Sequence, residues 1–321
     1  MYPESSSITF RPELSVLAQE YLVSSAASKF IGTRAAPVFN AGLQSGEYPI
    51  LNREYFKKPA ETKRAAPGAP YNEINARFGQ GTYACEDYGI THPVDDRQVA
   101  IYGRLFDLET AATSVIMHQM LLTHEIRVAT LFSGAGYTNT NVTTAWSTTA
   151  TAEPLDDLAT GINDICDMCG AVPGDISLII PRADYIELMR TAQFIAKGQY
   201  TYPGIIPAQM APMQVAGLLG IKECLIAQSN YDSTEEGVAE TNAQIWTAGI
   251  IYLAICAPPN SGLSTPSAAR TITWNEGFPD GPILESWRED KNRSNYIRVR
   301  ADMDEELTGE TDLFAYKLTN T

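Results

Sequence analysis

From Tyr88 the chain passes out of a short alternating stretch, "YGITHPV", into a long run whose apolar residues return every three or four positions. Val99, Tyr102, Phe106, Leu108, Ala112, Val115, Ile116, Met120, Leu122, Ile126 and Ala129 form a helical stripe with one weak point, Gly103. Pro93 near the start and Asp95 and Asp96 in the first turn suit a helix N-terminus, and Ser133-Gly134 ends the pattern. The spacing predicts one helix over 94–133, more than about 35 residues and roughly 55 Å long, well beyond an ordinary globular helix.

The rest of the pattern is uneven. Residues 1–8 read as disordered, and "PELSVLAQEYLVSSA" (12–26) predicts a short helix. "FIGTRAAPVFNAG" has anchors at Phe30, Ile31, Val38 and Phe39 but no period long enough for its own core, so it reads as an arm that packs against something else. Over 46–93 two strand-like stretches flank a polar, proline-rich tip, "ETKRAAPGAPYNE". A two-stranded excursion needs a further partner to be stable, and a neighbouring molecule is the natural one. Residues 134–152 are polar loop or short strand.

Between 150 and 257 the pattern is that of a compact α/β block. Helices are predicted over 154–170, with Leu155, Leu158, Ile162, Ile165 and Cys169 on one face, and over 182–194 and 212–221. Buried strands are predicted over 176–182 and 222–227, with one or two more over 243–257. In the tail, "YIRVRADM" and "DLFAYKL" alternate at period two around a turn, "ELTGET", predicting antiparallel strands. Their apolar face needs a cover, and the long helix is available. Val115 and Ile116 are its expected contact points, with Leu313 and Leu318 opposite.

Composition narrows the class. Hydrophobic residues make up 44% of 321, a globular proportion. The net charge of −15 argues against gripping nucleic acid. Residues 1–64 carry eight basic and six acidic side chains, and 271–321 carry six and eleven, an asymmetry that copies of the chain can use against each other. "MYPESSSITF" lacks the pattern of a signal peptide, and no apolar run reaches the length of a membrane span.

Candidate chemistry is sparse. Cys85, Cys166, Cys169, Cys224 and Cys256 show no disulfide framework, and Cys166-x-x-Cys169 falls at the end of its helix, where the dipole does not activate a thiol. His92, His118 and His124 share no ligand spacing. No phosphate-binding glycine loop or nucleophile elbow occurs. Asp156 and Asp157 suit a helix start, "DMDEE" (302–306) a solvated hairpin flank, and Arg298, Arg300 and Asp302 a polar strand face or an intersubunit pair. No catalytic, cofactor-binding or metal-binding residues are expected, and no cofactor.

An arm, a long hairpin, an overlong helix and a strand-rich tail around one α/β block resemble the major capsid proteins of tailed bacteriophages. The resemblance runs through "FIGTRAAPVF", "LIIPRADYIELMR", "LLGIKECLIA" and "ILESWREDKNRSNYIRVRADMDEELTGETDLFAYKLTN". It implies an α+β chain of the HK97-like capsid fold: an N-terminal arm (1–45), an extended loop (46–93), a peripheral domain with a spine helix and antiparallel sheet (94–149 and 258–321), and an axial α/β domain (150–257). It further implies pentamers and hexamers of the chain, closing into an icosahedral shell around double-stranded DNA within the virion. Assembly in the host bacterial cytoplasm, without a membrane, is implied too. Because "FIGTRAAPVF" begins after 29 residues, a separate scaffolding protein is implied, with a portal and optionally a decoration protein. Lys57, Lys58 and Lys63 lie in the loop, but no motif marks them for cross-linking. The alternatives are the shell protein of an encapsulin-type nanocompartment and a soluble α/β enzyme.

Overall fold

A computed structural model describes residues 9–10, 17–18, 29–50, 52, 62–64, 66, 70–71, 79–103, 107–204, 206, 209–234, 237, 239–274, 283–310 and 312–320. The expectations for 1–8, for most of the 12–26 helix, and for Lys57 and Lys58 lie outside these residues.

The first half of the chain supplies scattered pieces. Strand β1 (Thr9–Phe10) is followed by a single helical turn, α1 (Gly32–Ala35), and by β2 (Val38–Ala41). The hairpin strands β3 (Ser45–Ile50) and β4 (Gly79–Ala84) lead into β5 (Glu86–Asp95), then α2 (Asp96–Tyr102) and α3 (Leu108–Gly134). The α/β block follows: β6 (Asn139–Asn141), α4 (Pro154–Cys169), β7 (Ile176–Pro181), α5 (Arg182–Arg190), α6 (Ala192–Thr201), α7 (Pro212–Leu219), β8 (Glu223–Ala227), β9 (Asn230–Asp232), β10 (Asn242–Gln244) and β11 (Ile250–Ile255). Strands β12 (Ala269–Trp274), β13 (Ile283–Glu289), β14 (Ser294–Leu307) and β15 (Ala315–Thr319) complete it.

Two sheets organise these elements. In the five-stranded sheet, β6-β15-β11-β7-β8, all six residues of β7 are buried, because helices cover both faces and no alternation survives. Helix α4 buries the five apolar residues its spacing predicted. The six-stranded sheet, β1-β13-β14-β12-β2 with β5 also on β14, is drawn from remote stretches. Over Ser294–Arg300 the long strand β14 lies between β13 and β5, and at its far end it pairs with β12. Its alternation is clean: Ile297, Val299, Ala301 and Met303 are buried and the residues between are half-buried.

Several expectations need correction. The long helix is broken in two. Gly103 caps α2, and Asp107 starts α3 by accepting from the Glu109 N–H at 3.2 Å and the Thr110 hydroxyl at 2.5 Å. A side-chain cap that satisfies the first turn of a new helix ends the old one. Val115 is 52% exposed, whereas Ile116 is 1% exposed and packs on Leu284, Ile297 and Val299.

The tail strands also part company. Strand β14 runs through to Leu307, past the start of the expected turn. The chain then turns through Asp312, at φ 66, and β15 enters the five-stranded sheet, pairing with β11 and not with β14. Leu313 and Leu318 are therefore buried in the core of the α/β block, away from the first half of α3.

The arm and excursion differ too. Phe30, Ile31, Ala35 and Ala36 are buried in the chain's own core, and β2 pairs in parallel with β12 of the same chain. The returning strand of the excursion divides at Cys85, so that β4 closes the hairpin while β5 joins the six-stranded sheet.

Helix α3 connects the two sheets. Its buried residues come in pairs four apart: Ala112-Thr113, Ile116-Met117, Met120-Leu121, His124-Glu125 and Val128-Ala129, then Phe132. Four residues advance a helix about 40° beyond a full turn, so the buried face winds around the axis. Ala112, Ile116, Met117 and Met120 meet the six-stranded sheet, whereas Val128, Ala129 and Phe132 belong to the core of the other.

Candidate assembly surface

The hairpin is joined to the rest of the chain at its base. Tyr48 on β3 and Tyr83 on β4 pack with Ala41, Cys85 and Ile272. The Tyr48 hydroxyl donates to the Leu307 carbonyl at 2.9 Å and reaches a Glu306 carboxylate oxygen at 3.3 Å. The Ala84 N–H donates to Asp304 Oδ2 at 2.8 Å. Gly81 lies under the Tyr48 ring: a Cβ there would sit 2.4 Å from Cζ. Burial raises the pKa values of Asp304 and Glu306, each reinforced by neighbouring acids. The Tyr48 hydroxyl is raised for the same reasons, burial first and then Glu306.

"DMDEE" is therefore neither a turn nor a solvated flank. It lies in β14 and receives the hairpin on one side, while Glu305 takes a two-pronged pair from Arg127, with Nε–Oε2 at 2.8 Å and Nη2–Oε1 at 2.9 Å. Arg298 and Arg300 both pair with Glu285 of β13, so their partner is within the chain. Asp156 accepts from Gln193 Nε2 and Asp157 from Trp146 Nε1, which makes the first turn of α4 a tertiary anchor.

The other candidate residues are structural. All five cysteines are free. Cys169 donates to the Ile165 carbonyl within its helix, and burial raises the pKa of both Cys166 and Cys169, the opposite of an activated thiol. His118 packs on Phe30 at 5.3 Å between ring centroids, its pKa lowered by burial and then by Lys29. His124 is buried, with Nε2 3.0 Å from Thr271 Oγ1 and its pKa lowered by burial to about 4. His92 pairs opposite Ile297, and its buried Nδ1 has no hydrogen-bond partner among the described residues. The described residues contain no group of three or more His, Cys, Asp or Glu placed for a metal ion, and no helix long and apolar enough to cross a membrane. A cavity of about 490 Å³ beside the end of β11 is lined mainly by apolar groups, among them Ile255, Pro258, Pro266 and Phe314. Its one ammonium, that of Lys222, donates to the Cys256 carbonyl at 2.7 Å.

Two features escaped the sequence reading. Glu125 is fully buried in α3. The other is a charge-free run: from Gly198 to Ile221 there is no Asp, Glu, Lys, Arg or His, yet Tyr200 is 91% exposed and Met213 84%. Helix α2 adds exposed Val99, Ile101 and Tyr102 and buries nothing.

No family model matches the sequence, and no curated protein matches it. Solved structures do match. A phage-related protein of Bordetella bronchiseptica superposes with a TM-score of 0.70 at 17% identity, over 97% of each chain. The chain shares the α+β fold of that protein. The capsid protein of cyanophage P-SCSP1u matches at TM-score 0.58 and 12% identity, over 89% of this chain and 86% of that one. The virus-like particle of Pyrococcus furiosus matches at 0.54 and 12%, over 95% and 99%.

Proposed function

We propose that this chain is a non-catalytic shell subunit, the major capsid protein of a tailed bacteriophage, which self-assembles around double-stranded DNA. The observation that carries the reading is the match along 97% of both chains to a phage-related protein. The surface agrees with it: a hairpin projects from its base, and exposed apolar side chains cluster on α2 and on the charge-free run.

In this reading α3 is the spine, the six-stranded sheet the peripheral domain and the 150–257 block the axial domain. Segment 30–41 is docked on its own subunit, so reaching toward a neighbour falls to the hairpin tip. A charge-free run suits a surface that meets copies of itself around a rotation axis, where any charge would be repeated in every subunit. Pentamers and hexamers would use it alike. Scaffolding, portal and decoration proteins would act from outside the chain, and assembly would take place in the host cytoplasm before the virion is complete.

Electron microscopy of the purified protein, with analysis of nuclease-protected contents, tests the proposal. Closed polyhedral shells able to hold DNA are expected. Shells filled with a protein cargo would make it a nanocompartment subunit instead, and particles absent under every assembly condition would remove the shell reading.

A further inference from the structure

Among the described residues, no cation sets the charge of Glu125; its neighbours are neutral donors. Its carboxylate is fully buried and is held by neutral donors from three separate segments. The Gly32 N–H donates to Oε2 at 2.5 Å, Trp246 Nε1–H to Oε1 at 2.6 Å, and the Ser229 hydroxyl to Oε1 at 3.3 Å; the Ile31 backbone adds a further bond. Gly32 and Ile31 belong to the N-terminal segment, Ser229 to the connection between β8 and β9, and Trp246 to that between β10 and β11. All three meet α3 where its buried face passes from one sheet to the other. Neighbouring His124 acts in parallel: its Nε2 bonds to Thr271 Oγ1, which donates to the Ala36 carbonyl at 3.0 Å.

A group used only to fill a core would be apolar, because burying a carboxylate costs several kcal/mol unless dipoles replace its water. Here four donors from three separate pieces of chain offset that cost in part, although burial still raises the pKa of the group. We propose that Glu125 is a clamp that locks segment 30–41 and the two connections onto α3, setting the angle at which the two sheets meet. In the shell reading, on which its assembly role rests, that angle is what a subunit must hold or change to fit different positions in a curved lattice.

Gly32 gives the sharpest test. A Cβ at this position would lie 2.8 Å from Glu125 Oε2 and 3.1 Å from His124 Nδ1. In an ordinary helical turn, Gly→Ala stabilises; here it must push the clamp open. Hydrogen–deuterium exchange is followed on the full chain for the wild type, Gly32→Ala and Glu125→Gln. Both variants are expected to raise exchange in peptides spanning 29–41 and 229–246 by about tenfold or more, the scale of a lost charge-assisted bond. Exchange in 176–181, at the centre of the five-stranded sheet, stays unchanged. Slower or unaltered exchange in 29–41 for Gly32→Ala contradicts the clamp, as does a uniform rise that includes 176–181. Should Glu125→Gln not fold, Gly32→Ala still decides, because it leaves every donor and acceptor in place. Exchange reads the clamp whether or not particles form, so a failure of the shell reading is seen separately.

Discussion

The two sheets are built by different means. The five-stranded sheet takes four of its strands from the contiguous stretch 139–255, adds β15, and is covered by helices that lie between those strands in sequence. The six-stranded sheet takes strands from both ends of the chain and from the far side of the hairpin, and only one of its faces lies on α3. On its other face Trp287 stacks on Tyr296 at 5.4 Å, and Arg298 lies over Trp287. Local pairing makes the first sheet close to self-sufficient. The second depends on long loops being closed and on one helix, and it carries the hairpin. The difference teaches that local and long-range closure are divided between the sheets, with α3 as the common member.

The largest effect expected from breaking this division comes at α3. Ile116→Asp puts an unpaired charge between α3 and the six-stranded sheet and should cost about 4 kcal/mol or more. Val115→Asp, one residue away on the exposed side, should cost less than about 0.5 kcal/mol. Thermal unfolding compares them; similar losses would mean the helix face is misplaced.

Next in size is a pH effect at the joint. His124 stays neutral in the fold, with its pKa lowered by burial from 6.5 to about 4. Glu305 opposes that shift and Arg127 adds to it. The unfolded chain takes up a proton below about pH 6.5 that the folded chain refuses. The stability from this residue is therefore full above about pH 6.5 and falls as the pH drops toward 4, by about 3 kcal/mol in all. His124→Gln keeps a donor for Thr271 and should flatten melting temperature against pH in that window. An unchanged slope would show that His124 is not the titrating group.

A smaller effect belongs to the hairpin base. Gly81→Ala drives a methyl group into Tyr48 and should cost about 1–3 kcal/mol, with faster exchange in β3 and β4. Gly42→Ala is the control, because a Cβ there meets nothing within 4 Å. Equal behaviour of the two would mean that Tyr48 is not held at the base.

Much of the five-stranded region was legible in the sequence. A mostly apolar strand such as "ISLII" and a helix with Leu155, Leu158 and Ile162 in register need only local spacing to be recognised. The six-stranded sheet was legible as strands but not as a sheet. Period two tells which residues of β15 share a face, and nothing about whether β14 or β11 will be its neighbour, so Leu313 and Leu318 were assigned to the wrong core. A single helical stripe likewise assumes one partner. Helix α3 has two, and its four-residue spacing of buried pairs is the signal that would have excluded Val115 and included Glu125. Cap strength decided the break at Asp107, where a side chain outcompeted a continuous pattern. The charge-free run was readable by composition alone, but its exposure was not, because spacing does not say what lies outside the monomer.

The smallest effect on the monomer, and the largest on its neighbours, is expected at the hairpin tip. Deleting Glu61–Tyr71 should change the melting temperature by little, less than about 0.5 kcal/mol in stability, because a sequence so polar and rich in proline is not one that builds a core. Sedimentation velocity of the intact chain and this deletion, over a range of protein and salt concentrations, tests the division of labour most directly. The account predicts shell-sized particles for the intact chain, and rings or single subunits with unchanged melting for the deletion. Shells of normal size from the deletion, or a lone monomer from the intact chain at every concentration, would contradict it.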